Sequence, residues 1–247
     1  MRRAGQPARL IRLPSGTACR LVLGLAASGP PTVAVRIRSG RTDAMKLHFS
    51  PNSCSNGIHV ILEEIGVPYE SVRVNFQNRE QFSEGFRAIN PKGKVPTLVR
   101  DDGSVLTEYQ AIAFWLGRSF PEAGLLAQDI EGQARALELM DYMVATVHMR
   151  GFTFIFAPQR FTAVEAAHDE IRAHGRGIVT DGFAQLGEVL GGRDWLLGDY
   201  SIADATMFYL TTWGRGREIP MPDNVSTFHD RMLARPAVQR MLAKSAV

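Results

Sequence analysis

Met45-Lys-Leu-His-Phe-Ser-Pro-Asn-Ser-Cys-Ser-Asn-Gly57, MKLHFSPNSCSNG, sets a cysteine between an extended segment and a helical one. Lys46-Leu47-His48-Phe49-Ser50 alternates as a short strand does, and Pro51 stops it. Downstream, Ile58, Ile61, Leu62 and Ile65 share one helical face until Gly66 and Pro68 end the run, with Ser55 or Asn56 available as the cap. Cys54 therefore stands at a strand-to-helix junction, where unpaired backbone N–H groups and the helix dipole favour a thiolate. Three positions on is Gly57, not a second cysteine, so a dithiol cycle within the chain is not expected here. A sulfur partner has to come from a second molecule.

Further along, residues 69–76 read as a second strand and 80–88 as a short polar helix or loop. Residues 95–99 and 104–107 read as two strands joined by a tight turn at Asp101-Asp102-Gly103. Over 108–120 the apolar residues Ile112, Trp115, Leu116 and Phe120 return at helical spacing. The order is β-α-β-α-β-β-α, a small α/β unit with helices on a mixed sheet. After Pro121-Glu122-Ala123-Gly124 strand signals almost vanish, and long amphipathic runs over 130–150 and 164–190 predict an all-α second domain, the latter run ended by Gly191 and Gly192. Ser201-Ile202-Ala203-Asp204 has the S-x-x-D spacing of a capping box and predicts a buried helix from there to Trp213.

The formal net charge is +3, but the charge is unevenly spread. Residues 1–44 hold eight arginines against Asp43, which leaves the rest of the chain mildly acidic and argues against nucleic acid as a partner. The apolar run at 21–27 is too short to span a bilayer, so no membrane association is expected. Signal-like and transit-like features within 1–44 match neither pattern cleanly. The expectation is a dispensable, disordered or mistranslated Arg-rich extension over 1–44, with folded domains over 45–121 and 130–247. Cys19 and Cys54 are the two cysteines, which fits free thiols and a cytoplasmic protein. The histidines show no metal-ligand spacing with one another or with Cys54, so no metal is expected.

From Met45 onward the chain resembles the bacterial beta-class glutathione transferases. The resemblance rests on four motifs in order: Met45-Lys-Leu-His-Phe-Ser-Pro-Asn-Ser-Cys54, Asn90-Pro-Lys-Gly-Lys-Val-Pro96, Leu106-Thr-Glu108 and Ser201-Ile-Ala-Asp204. It implies a thioredoxin-like N-terminal domain followed by an α-helical C-terminal domain, a homodimer, and glutathione as cosubstrate. It further implies that Cys54 is the catalytic cysteine and that the Val95-Pro96 bond is cis, with the Val95 backbone pairing with the cysteinyl part of glutathione. Glu108 would hold the γ-glutamyl ammonium, as a carboxylate can. Ser53, Lys94, Tyr109 and Asp141 complete the implied glutathione set, and His148 would reach in from the second domain. The implied second substrate is a small apolar electrophile, a peroxide or a mixed disulfide, with ether cleavage and dehalogenation as further chemistries of the same thiol.

The sequence departs from the family pattern at two of these places. Tyr109 stands where a small residue is usual, and Met149 where a lysine follows the histidine. These changes keep open a different class of function, a noncatalytic ligand-binding or protein-interaction module. Each site residue also has a plainer reading: Cys54 as an inert buried thiol, His148 as a satisfied core residue, Glu108 as a helix cap. Phe152, Phe154, Phe156, Phe208 and Trp213 line either an apolar pocket or simply the core.

Overall fold

The structure, a computed structural model, describes residues 44–245, all within one compact unit. The extension expected over 1–44 lies, but for Ala44, outside the described residues. Strands β1 (Met45–Phe49), β2 (Tyr69–Arg73), β3 (Thr97–Val99) and β4 (Val105–Thr107) form one sheet in the order β2-β1-β3-β4. Strand β1 runs parallel to β2 and antiparallel to β3, with Lys46 opposite Val99 and His48 opposite Thr97. The β3–β4 turn is the expected one: Gly103, at φ 80°, donates to Arg100 O at 2.9 Å, and Ser104 N donates to Asp102 Oδ1 at 2.8 Å. Helices α1 (Ser55–Ile65), α2 (Glu84–Ile89) and α3 (Tyr109–Ser119) complete a thioredoxin-like domain, whose core includes Leu47, Phe49, Ile58, Ile61, Leu98, Ile112 and Leu116.

The second domain is helical: α4 (Ile130–Asp141), α5 (Thr153–Phe156), α6 (His168–Leu190), α7 (Ile202–Gly216), α8 (Asp223–Leu233) and α9 (Pro236–Ser245). Between α4 and α5 the chain does not stop but passes through a π-helical run, Tyr142–Phe152, which carries His148. Such a run is rare and marks functional sites more often than chance allows. Helix α6 packs closely along it because glycines face it: a Cβ at Gly182 would lie 2.6 Å from a Val147 methyl, and one at Gly175 would lie 2.7 Å from Gly151 O. The predicted single helix over 130–150 is thus a longer, locally overwide one.

Helix α7 starts at the predicted capping box. Ser201 Oγ accepts from Ala203 N at 3.2 Å, and Asp204 Oδ2 accepts from Ser201 N at 2.8 Å. From Ile202 to Thr211 every residue is buried, so α7 is the central helix of the molecule. It packs against α1, and so does α9, which changes α1 from the predicted one-faced helix into one buried from Ser55 to Glu63. Buried Glu63 then needs partners, and α9 supplies them: Arg240 Nε donates to its Oε2 at 2.9 Å, while Lys244 and the Tyr69 hydroxyl donate to Oε1.

Candidate active site

The turn before α1 is built by its serines. Ser53 Oγ donates to Ser50 O at 2.7 Å and accepts from Ser55 N at 3.2 Å, while Ser55 Oγ accepts from Ser50 N at 3.1 Å. These bonds hold Asn52 in the left-handed region, at φ 58°, and leave Cys54 as the residue flanking the helix start. Neither Ser55 nor Asn56 caps α1 as the sequence suggested; both belong to its first turn. From the other domain, the Trp213 indole N–H donates to Asn52 O at 2.8 Å and ties α7 to this turn.

Cys54 is half-buried, and its thiol donates to Val95 O across a long 3.7 Å contact. Burial pushes the thiol up to about 12; its own backbone N–H, that of Ser55 and the Lys94 charge pull it down, and Glu108 adds to the rise. The helix-start argument therefore loses: removal from water outweighs the N–H groups, and the ligand-free protein carries a thiol, not a thiolate. Below its own pKa a thiol reacts in proportion to its thiolate fraction. Alkylation of Cys54 by iodoacetamide, followed on the Cys54 peptide by mass spectrometry, should accelerate about tenfold per pH unit and keep climbing past pH 9, where an ordinary thiol levels off. A plateau below pH 8 would show that the dipole prevails after all.

The loop opposite Cys54 is organised by buried Asn90. Its amide donates to Lys94 O and to Thr97 Oγ1, both at 2.8 Å, and its Oδ1 accepts from Lys92 N at 3.1 Å. So held, the loop delivers Val95 and a cis Val95-Pro96 bond to the end of β3. Lys94 is exposed, and its charge acts on both Cys54 and His148.

Glu108 precedes α3 with φ 73° and ψ 129°, a conformation that costs a non-glycine residue about 1–3 kcal/mol and is usually retained for function. Its exposed carboxylate accepts from Lys92 Nζ at 2.5 Å, and Lys92 also reaches Thr107 Oγ1 at 2.9 Å. Tyr109 turns the other way. Its ring is buried against Tyr209, 5.3 Å between centroids, and its hydroxyl lies over Gly57 with no hydrogen-bond partner. The Tyr109 side chain thus packs between α1, α3 and α7, away from Glu108's solvent-facing side. Asp141, exposed at the end of α4, accepts from Gln110 Nε2 at 3.1 Å.

His148 is half-buried, its ring edge-on to Trp213 at 4.9 Å and its Nδ1 3.3 Å from the Tyr209 hydroxyl. Burial, with the Lys94 charge, pushes it down to about 4, so it is neutral at pH 7. The structure therefore sets the Cys54 thiol against Val95 beside the cis Val95-Pro96 bond, within reach of the Lys94 and Glu108 charges, and Lys94 acts on His148 as well. Ser53 shapes the turn, Tyr109 is buried within reach of the Cys54 charge, and Asp141 pairs with Gln110. Sequence reading missed Lys92, Gln110 and Tyr209. Tyr209 had a signal, since it lies one helical turn before Trp213 on the same face of a helix already predicted; the pairings of Lys92 and Gln110 are long-range and had none. Among the described residues no group of His, Cys, Asp and Glu is placed to hold a metal ion, and no helix is long and apolar enough to cross a membrane.

Residues 51–119 match the family described as glutathione S-transferase, N-terminal domain. Over 204 residues the chain is 31% identical to glutathione S-transferase GstA of Escherichia coli O157:H7, spanning 81% of this chain and 98% of that protein. Among solved structures, a glutathione transferase homologue from Sulfitobacter with bound glutathione superposes with a TM-score of 0.74 at 29% identity, covering 83% of this chain and 99% of that one. A bacterial beta-class glutathione S-transferase from Sphingomonas chungbukensis gives a TM-score of 0.70 at 26% identity, covering 81% and 98%.

Proposed function

Since the chain belongs to the glutathione S-transferase family, we propose that it activates glutathione at Cys54 and transfers it to a small electrophile. The observation that carries this reading is the Cys54 thiol aimed at Val95 O beside a cis Val95-Pro96 bond, with Lys94 at hand. Glutathione lies along Val95 with its γ-glutamyl end at Glu108, where its ammonium displaces or joins Lys92 on the carboxylate. Its own thiol, more acidic than the buried Cys54, ionises first. Cys54 then donates a hydrogen bond to the glutathione thiolate and holds that charge in the site, while Lys94 adds a positive field. Neutral His148 faces the same region and can donate to an oxygen or leaving group of the second substrate. Domains over 45–121 and 130–247, a cytoplasmic setting and a symmetric homodimer complete the proposal.

Cys54 acting as a donor differs from Cys54 acting as a nucleophile, and one series of variants separates them. Conjugation of glutathione to 1-chloro-2,4-dinitrobenzene, and the apparent pKa of the bound glutathione thiol read from its thiolate absorbance, should be measured for the full chain, Cys54→Ser and Cys54→Ala. A donor role predicts that Cys54→Ser keeps most of the rate, while Cys54→Ala loses about tenfold and raises the glutathione pKa by about one unit. Equal loss in both variants, with a glutathione adduct on the Cys54 peptide of the parent, would favour a mixed disulfide through Cys54 instead. Absence of glutathione binding to the parent would overturn the reading and leave a noncatalytic binding module.

A further inference from the structure

Beyond the glutathione side, the wall of the second-substrate side is aromatic and ends in a cation. Trp213 starts it, tied by its N–H to Asn52, two residues before Cys54. Its ring meets His148 at 4.9 Å and Phe156 at 5.2 Å. Phe156 stacks on buried Phe152 at 5.5 Å, yet is itself 39% exposed, so one face of the ring is fixed while its outer edge still meets solvent. Over this ring, 5.0 Å from its centroid, lies the guanidinium of Arg217.

Arg217 is placed for a ligand and not for an internal acid. Arg215, two residues earlier, is paired with Asp230 at 2.7 Å, whereas Arg217 is exposed and makes no ion pair among the described residues. Its backbone is pinned from outside the helix: Arg176 donates to Arg217 O at 2.9 Å and to Glu218 O at 3.0 Å. The cation–π contact with Phe156 anchors the guanidinium over the ring, and its N–H groups make no ion pair among the described residues, which leaves them to take a carboxylate through two hydrogen bonds. A flat ring lying against Trp213 and the outer edge of Phe156 would set such a carboxylate at Arg217 and its opposite end toward the Asn52–Cys54 turn.

We propose that the second substrate is an aromatic carboxylate bearing a leaving group opposite the carboxylate, and that Arg217 on Phe156 is the residue that selects it. This rests on the glutathione transfer proposed above. In the step itself the glutathione thiolate forms a sulfur–carbon bond with the ring, the carbon–halogen bond breaks, halide leaves with its electron pair, and the thiol proton goes to solvent.

The test uses the full chain, reduced glutathione and two probes of one shape, 4-chloro-3-nitrobenzoate and its neutral amide, 4-chloro-3-nitrobenzamide. Arg217→Ala should raise KM for the benzoate about tenfold and leave the benzamide within about twofold, because only the charge-assisted contact is lost. Arg217→Lys should recover part of the benzoate loss. Equal effects on both probes, or no effect on the benzoate, would overturn the selection by Arg217 while leaving glutathione transfer intact. Turnover of neither probe by a parent that still conjugates 1-chloro-2,4-dinitrobenzene would overturn the aromatic carboxylate alone, and no turnover of any of the three would overturn glutathione transfer as well.

Discussion

Asp204→Ala is expected to lower the unfolding free energy by about 4 kcal/mol, a loss large enough to threaten folding at 37 °C. The carboxylate is fully buried and serves three donors: Leu196 N at 2.9 Å, Ser201 N at 2.8 Å and Ser201 Oγ at 2.9 Å. Losing the cap alone costs about 1 kcal/mol. Each buried donor left without an acceptor adds about 1–3 kcal/mol, because no water reaches it to replace the lost bond. Burial also pushes the carboxyl up to about 6 against these donors, so the comparison belongs at pH 8, where the ion is present. Ser201→Ala removes only the hydroxyl from the same box and should cost about 1–2 kcal/mol by urea unfolding at unchanged m-value. Because α7 carries Tyr209 and Trp213, the two groups packed on His148, the damage should spread to the site as a loss of rate even where Asp204→Ala still folds. A loss under 1 kcal/mol for Asp204→Ala would mean that the box is not what holds α7 in place.

The capping box was legible because everything it needs lies within four residues. The same holds for the Asp101-Asp102-Gly103 turn, the alternation of β1, and the position of Cys54 between strand and helix. What escaped sequence reading depends on partners far along the chain. The apolar face of α1 was visible, but its burial on the other side comes from α7 and α9, and α8 and α9 were not read as helices at all. Glu63 looks like an ordinary solvent-facing helical acid until Arg240 and Lys244 arrive from α9. The pairing of Lys92 with Glu108 spans sixteen positions and leaves no periodic trace. The thiol of Cys54 shows the sharpest limit. Local sequence specifies the helix dipole, whereas desolvation is set by the whole fold, and here the second has the larger effect.

Gly57→Ala is the second large effect, and its sign runs against helix propensity. In an open helix this change stabilises by about 1 kcal/mol. Here the new Cβ would sit 2.2 Å from the Tyr109 hydroxyl, 3.0 Å from its ring and 2.9 Å from Ala205 O. Neither neighbour yields easily, since the tyrosine is locked against Tyr209 and the carbonyl belongs to the central helix. Overpacking of this kind costs about 1–3 kcal/mol, and with contacts at 2.2, 2.9 and 3.0 Å the upper end applies; less the propensity gain of about 1 kcal/mol, a net loss of about 2 kcal/mol is expected by thermal or urea unfolding. Helix α1 must shift away from α7, and Cys54 at its start moves with it. Tyr109→Phe separates the two contacts. The hydroxyl is buried without a partner, so removing it alone should be neutral or mildly stabilising. Combined with Gly57→Ala it should return about 1 kcal/mol, the remainder reflecting the Ala205 carbonyl. A Gly57→Ala protein as stable as the parent would show that α1 can move freely over α7. The wide side chain at position 109 would then need no glycine opposite it, and the route by which this chain accommodates a tyrosine at the start of α3 would have to be sought in α3 itself.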